Sequence, residues 1–486
     1  MKKIRIFSLF LAICLVFSLL APSASALDAP SLRSAKAVVL ADLDSGRLLY
    51  ELNKDEQRSP ASLTKVMTVL LAVEALERGE VSLDEMVTAQ ADCLAGLNTD
   101  SSTSGIQPGE IISYRDLLYC ALVHSANEAC NVLAHRVSGS VENFVAAMNE
   151  RAAALGCVNT HFADPNGLSN ENHYTTAYEM YLITAEALRH DLFAEICNTK
   201  GYDMAATNLS PARSFYNSNA LITADSEYGS GYVYPYAAGV KTGFTQKAGY
   251  CLVSTAEKDG IRLLAVVMGC DGWLNAGIDE YQNFTDSRSL YNWAFEGFAY
   301  REAVSSLSTV TRVQVALSAD GDAPISLRPQ EDITLLLPKD LDESEIELVP
   351  TVYDELLTAP IEAGTLLGRA EIVIRGENYG SVGLVNTAQV ELSKKEFMSQ
   401  RVDQTLHSPW MTLLIVFVAV LAVGYLTLVI RYRIQRRKYL RRKRELAARR
   451  AARERAADPP LPEESTRRLN AFVDEEIQKN NKSGNR

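Results

Sequence analysis

The sequence predicts a mixed α/β domain, then a small all-β domain, then one membrane-spanning helix. Three observations carry that reading. Short β-branched runs alternate with amphipathic helical stretches over residues 27–302, alternating apolar runs broken by Gly, Pro and Asp fill 303–393, and 410–430 holds 21 residues without one charge. At 486 residues, 47% hydrophobic and 22% charged, the chain has the length and composition for two or three domains with a packed core.

Both ends are set aside before the fold is read. Lys2, Lys3 and Arg5 precede an apolar run over 6–20, and Ala24-Ser25-Ala26 supplies small residues for cleavage after Ala26, so 1–26 reads as a secretory signal peptide. At the other end, 410–430 rises by ~1.5 Å per residue and covers ~31 Å, the thickness of the hydrocarbon core. Behind it, 431–457 carries thirteen Lys/Arg against only Glu445 and Glu454. Basic residues stay on the cytoplasmic side, which predicts a single-pass cell-membrane protein with its bulk extracytoplasmic and its tail, 431–486, inside. The basic stretch abuts the span, the position of an anionic-lipid contact. With a formal net charge of −12, the exported part has no electrostatic footprint for nucleic acid.

Within the first domain, 37–40 and 46–50 read as two strands joined by a turn at 42–45. A helix follows over 62–78, with Val66, Val69, Leu70, Val73 and Leu76 on its apolar face. Further helices are predicted over 114–123, 141–155 and 176–188. Residues 249–256 and 261–268, with Lys258-Asp259-Gly260 between them, predict a hairpin, and 287–298 predicts a closing amphipathic helix. Alternating runs at 313–317, 333–337, 371–374 and 383–385 make up the β domain. Residues 394–409 read as a linker, and 459–486, polar and rich in Pro, Glu, Asn and Lys, as disordered.

Once Cys14 leaves with the signal, seven cysteines remain, an odd number that implies at least one free thiol unless chains pair. No CxxC and no HExxH is present among the cysteines and six histidines, so no zinc pattern is read, and His124 beside Ser125 reads as structural.

Three short segments carry chemistry. In Ser59-Pro60-Ala61-Ser62-Leu63-Thr64-Lys65, Ser62 and Lys65 lie three apart and share a helix face. A serine hydroxyl is a poor nucleophile until a base takes its proton, and a lysine can be that base when neutral. Alone, this spacing reads as a surface serine and a snorkelling lysine. Ser125-Ala126-Asn127 sits between two helical runs and places a hydroxyl and an amide in a cleft, or caps a helix. Lys241-Thr242-Gly243, followed by Phe244 and Thr245, reads as a strand offering a cation and a hydroxyl, with Gly243 leaving no side chain between the strand and a ligand's backbone.

Taken together and in this order, Ser62-x-x-Lys65, Ser125-x-Asn127 and Lys241-Thr242-Gly243 resemble the active-site set of penicillin-binding proteins and class A β-lactamases. Residues 59–68, 160–168, 173–180 and 239–250 are similar to the low-molecular-weight penicillin-binding proteins, the serine-type D-alanyl-D-alanine carboxypeptidases. The resemblance covers 27–300 and more loosely the β domain. It implies an antiparallel sheet flanked by helices and an acyl-enzyme on Ser62, with Lys65 as base, Ser125 as proton relay and Asn127 orienting the peptide. It further implies that Lys241 and Thr242 face the substrate carboxylate, that the Lys241 charge depresses the Lys65 pKa, and that the Ser62 and Phe244 N–H groups form an oxyanion hole. Thr242, Gly243, Phe244 and Thr245 are the substrate-binding strand. Implied partners are peptidoglycan stem peptides ending in D-Ala-D-Ala, β-lactams as covalent inhibitors, and the membrane; no cofactor or metal is implied. The rival readings are a D,D-transpeptidase, a β-lactamase-like hydrolase, and a non-catalytic penicillin-binding sensor signalling through its tail. Phe244, where some members have a polar residue, and the full span with its basic tail depart from the family pattern.

Overall fold

The computed structural model describes residues 28–97, 101–168, 171–275, 277–321, 323–455 and 463–482, so the predicted signal peptide lies outside the described residues. The chain divides into two compact units. One holds the chain up to Thr311 with Leu327–Tyr353 and Leu366–Val385; the other holds Arg312–Ser326, Asp354–Thr365 and Asn386–Arg486.

A five-stranded antiparallel sheet organises the first unit. Its strands are β1 (Ala37–Asp42), β2 (Leu48–Leu52), β3 (Ala237–Thr245), β4 (Gly249–Lys258) and β5 (Ile261–Cys270), in the order β2-β1-β5-β4-β3. Period-2 alternation sends neighbouring side chains to opposite faces. Val39, Val253, Leu264 and Val266 enter one core, and Val38, Leu40, Leu252 and Val267 enter the other. The first core is covered by α1 (Lys65–Glu77), α2 (Tyr114–Leu122), α3 (Asn127–Ser138), α4 (Val141–Ala154), α5 (Ala177–Ala187) and α6 (Asp191–Cys197). The second is covered by α7 (Gln282–Gly297), whose Phe284, Leu290, Tyr291 and Ala294 are fully buried. The predicted hairpin is β4–β5, and its partners on either side come from 200 residues apart in sequence, which spacing alone does not reveal.

Helix α1 departs from the amphipathic expectation. Val66, Met67, Val69, Leu70, Ala72 and Val73 all have 0% exposure, so the helix is buried on every side rather than on one face. Helix α7 is anchored to the chain's start: the buried Asp286 carboxylate accepts from the backbone N–H groups of Arg33 (2.7 Å), Ser34 (3.2 Å) and Ala35 (2.9 Å). It passes directly into β6 (Phe298–Val304), which pairs antiparallel with β7 (Ile333–Pro338). Strands β8 (Ile346–Val352), β9 (Leu366–Ile374) and β10 (Glu377–Asn386) form an antiparallel series.

In the second unit, Val315–Ala316 pairs parallel with Leu357–Thr358, and isolated bridges join Ser318 to Leu392 and Ile361 to Val390. The predicted linker is largely helical, as α8 (Lys394–Leu406), with Ser393 accepting from the Glu396 N–H at its start. Helix α9 (Pro409–Arg455) runs through 410–430 and the basic stretch without a break, and it is the described helix long and apolar enough to cross a membrane. Residues 463–482, expected to be disordered, form helix α10 (Glu463–Lys482), with Leu469, Phe472 and Val473 spaced at helical period. Polarity and Pro content misled there, because the three prolines Pro459, Pro460 and Pro462 precede the helix and the segment after them is rich in helix formers.

Candidate active site

Ser62 lies not in the α-helix but in a 3-10 turn, Ala61–Thr64, that leads into α1. Side chains three apart eclipse in a 3-10 turn, so Ser62 and Lys65 stand one above the other. Ala61, immediately before the serine, has φ +50°, and Ser125 has φ +66°. Non-glycine residues in that region are strained, and such strain collects where surrounding structure over-determines a functional geometry.

Lys65 has 0% exposure, and its Nζ sits among three oxygens: Ser62 Oγ at 2.7 Å, Asn127 Oδ1 at 2.7 Å and the Asn166 carbonyl at 2.9 Å. Two of these are carbonyl oxygens, which only accept. A neutral amine has two N–H bonds and one lone pair. With both N–H bonds committed to Asn127 and Asn166, the lone pair is left facing the Ser62 hydroxyl. Burial pushes the Lys65 pKa down to about 8, against the opposing pull of Cys130, Asp164 and Glu128. Removing an ammonium from water favours the neutral, basic form.

Asn127 begins α3 with its N–H donating to the Ser102 carbonyl at 3.0 Å, and the turn before it is closed by Ala126 N–H to Cys120 O at 2.9 Å. Lys241 is on β3 and is also fully buried; its Nζ donates to the Thr242 carbonyl (3.1 Å) and lies 3.5 Å from Ser218 Oγ, which is 2.6 Å from Thr242 Oγ1. Its pKa is pushed down to about 7, first by burial and then by Lys65. For both lysines burial is the first cause of the depression.

Ser62, Ser125, Asn127, Thr242, Gly243, Phe244 and Thr245 line one cavity of about 220 Å³, together with Ser101, Ser102, Gly167, Leu168, Glu227 and Tyr228. Lys65 and Lys241 lie behind that lining. Gly243 also permits a close approach that the sequence does not reveal. A Cβ there would stand 3.0 Å from the Pro60 carbonyl and 3.2 Å from the Ser62 nitrogen, so the glycine lets β3 press against the turn that carries Ser62. Phe244 stacks on Tyr250 with ring centroids 4.3 Å apart.

Sequence reasoning missed Asn166, Ser218, Glu227 and Tyr228. Asn166 acts through its backbone carbonyl, which any residue supplies, so no residue-type signal exists. Glu227, the single charged side chain lining the cavity among the described residues, carries no spacing relation to the motifs. His124 points its Nε2 to the Thr103 carbonyl at 3.1 Å and packs its ring 4.6 Å from Phe215. Away from the cavity, Glu74, Glu186 and His190 lie close enough to share a cation, but Arg151 Nη2 already pairs with Glu74 (2.7 Å) and Glu186 (2.6 Å).

The chain has counterparts among known proteins. Residues 23–272 match the family described as D-alanyl-D-alanine carboxypeptidase, Peptidase_S11. The chain belongs to the D-alanyl-D-alanine carboxypeptidase family. In this carboxypeptidase, residues 304–392 match a second family, the C-terminal domain of penicillin-binding protein 5. The chain is 32% identical over 343 residues to D-alanyl-D-alanine carboxypeptidase DacF of Bacillus subtilis, covering 71% of this chain and 82% of that one. It is 31% identical to DacC of Escherichia coli, over 77% of this chain and 89% of that one. Among solved structures, penicillin-binding protein 5 from Haemophilus influenzae aligns with a TM-score of 0.57 at 29% identity, covering 75% of this chain and 99% of that chain. The carboxypeptidase fold is thus a penicillin-binding fold with a C-terminal β domain.

Proposed function

We propose that the chain removes the terminal D-Ala from peptidoglycan stem peptides through an acyl-enzyme on Ser62. The observation that carries this reading is the placement of the Lys65 amine, pinned by Asn127 and Asn166 with its remaining vertex on Ser62 Oγ at 2.7 Å. Ser62 Oγ attacks the carbonyl carbon of the penultimate D-Ala while Lys65 takes its proton. The negative charge that develops on the carbonyl oxygen is met by the backbone N–H groups of Ser62 and Phe244, a reading supported by the close approach of β3 to the Ser62 turn at Gly243. As the C–N bond breaks, Ser125 gives its proton to the departing amine of the terminal D-Ala and regains one from Lys65, which returns to the neutral base. Water then attacks the ester carbon as Lys65 takes its proton, the bond to Ser62 Oγ breaks, and Lys65 returns that proton to Oγ. Asn127 orients the peptide, Thr242 and Thr245 receive the terminal carboxylate, and Lys241 supplies positive potential from behind Thr242.

In this reading β-lactams acylate Ser62 in place of the peptide. Residues 27–302 form the catalytic domain, 303–393 the β domain, and 410–430 of α9 the span, with Arg431 onward in the cytoplasm. The absence of charge across 410–430 and the basic residues on one flank support that topology. The test is release of free D-Ala from diacetyl-Lys-D-Ala-D-Ala. Release that is lost with Ser62→Ala and blocked by penicillin is the expected result. Stable penicillin labelling of Ser62 without release would instead identify a sensor or a transpeptidase.

A further inference from the structure

We infer that His173 is a positioning residue for acylation, pinning the nucleophile turn to the loop that hands Lys65 its backbone acceptor. This rests on the reading of Lys65 as the base. His173 is 1% exposed and touches both partners of that contact. Its Nε2 is 2.8 Å from Thr64 Oγ1. The Thr64 hydroxyl already donates to the Ala61 carbonyl at 2.8 Å, so its oxygen must accept, and the ring donates from Nε2. On the other side, Nδ1 accepts the Ala163 N–H at 3.1 Å, which agrees with the ring proton on Nε2. The titratable neighbour facing the ring is Asp164, with Oδ2 3.4 Å from Nδ1, and the Phe162 ring stands edge-on at 5.7 Å.

The loop so held is the one that matters to Lys65. Asp164 Oδ1 accepts from the N–H groups of Asn166 (3.0 Å) and Gly167 (2.5 Å), closing a tight turn. That turn aims the Asn166 carbonyl at Lys65 Nζ. Gly167, with φ +87°, lies so close to the nucleophile turn that a Cβ would fall 1.9 Å from the Ala61 carbonyl. Thr68 adds a second tie, donating to the Pro165 carbonyl at 2.5 Å from inside α1. His173 is thus the side chain that spans from Thr64, inside the turn between Ser62 and Lys65, to the backbone just before Asp164. A backbone carbonyl has no side chain to hold it in place, so its position depends on such ties. If the turn and the loop drift apart, the second N–H of Lys65 loses its acceptor and the lone pair no longer faces Ser62.

The test uses the full chain in detergent with four variants: His173→Ala, His173→Gln, Thr64→Val, and Thr64→Val combined with His173→Ala. Two readouts are taken, the rate of penicillin acylation at Ser62 and kcat and KM for D-Ala release. The expected result is a loss of about tenfold or more in acylation rate and kcat for His173→Ala and Thr64→Val, with KM held within about twofold. His173→Gln, whose amide N–H can reach Thr64, recovers part of the loss, and the double variant loses less than the product of the single losses, because the His173–Thr64 link is broken by either substitution while the Thr64–Ala61 bond is lost only with Thr64→Val. A folded His173→Ala with normal kcat, a loss confined to KM, or losses that multiply in the double variant would overturn the inference. Should His173→Ala fail to fold, Thr64→Val and His173→Gln report on the same contact from its two ends. Should the wild type acylate with penicillin yet release no D-Ala, the carboxypeptidase reading fails while the acylation rates still judge His173.

Discussion

Lys65 shows how a single side chain is made reactive by its surroundings. Its folded pKa, about 8, lies below the ordinary 10.5 because burial penalises the ammonium. The neutral fraction is therefore about a tenth at pH 7 and grows as pH rises through 8. Acylation of Ser62 is expected to rise with that fraction, and a pH profile of penicillin acylation that is flat from pH 6 to 9 would exclude Lys65 as the base. The same shift has a stability consequence with the opposite sense to a salt bridge. Below pH 8 the folded state bears the full cost of a buried charge, and that cost is relieved between 8 and 10.5. Replacing Lys65 by Arg keeps a charge that cannot be lost, so D-Ala release is expected to fall by ~10³-fold or more, measured against the wild type at equal folded fraction.

At the scale of elements, the site is a convergence of one tight turn, one inter-helix break and one strand, and its precision comes from close backbone approach. Gly243→Ala puts a methyl group 3.0 Å from the Pro60 carbonyl and 3.2 Å from the Ser62 nitrogen. The turn and β3 must separate to admit it, and a shift of a few tenths of an ångström to 1 Å costs on the order of 10- to 100-fold in kcat/KM. Far-ultraviolet circular dichroism unchanged beside wild-type kinetics would refute this. Remote from the cavity, Asp286 binds three successive backbone N–H groups of the segment before β1. Asp286→Ala removes charge-assisted hydrogen bonds in a buried place and is expected to destabilise by about 2–4 kcal/mol, read from denaturant unfolding. The helices and the β4–β5 hairpin were legible because apolar period and turn residues are local signals. The 3-10 turn was not, since Ser62-Leu63-Thr64-Lys65 fits an α-helix as well, and contact with β3 and the 163–167 loop decides between them.

For the whole molecule, the cysteines give a sharp expectation. All seven described cysteines are free and buried, and burial pushes Cys120, Cys130, Cys157 and Cys197 up to about 12. A thiol-reactive dye is expected to label none of them in the native protein and all seven in guanidinium; rapid native labelling, or fewer than seven after unfolding, would contradict it. The odd count in the sequence required only one free thiol, and the fold leaves every one unpaired. The apolar helix is likewise a property of the whole chain. Every residue lining the cavity precedes Thr311, so a chain ended at Ser393 is expected to leave the membrane fraction and keep kcat/KM within about twofold.

Some of this protein was determined by sequence alone. Charge-free length at 410–430, basic residues beyond it and small residues at Ala24 to Ala26 follow from composition along a line, and need no folding to be read. The motif residues are also local: Ser62 and Lys65 three apart, Ser125 and Asn127 two apart, Lys241 beside Thr242. What the tertiary structure decided is which atoms they meet. Asn166 contributes a backbone carbonyl that carries no identity, His173 reaches Thr64 across more than a hundred residues of chain, and a Cβ at Gly243 would crowd the Pro60 carbonyl and the Ser62 nitrogen, neighbours that sequence spacing does not reveal. Spacing along a chain encodes which residues can share a face. Distance between segments is set only when burial of the two cores brings the sheet and helices together, and catalytic geometry belongs to that second kind of information.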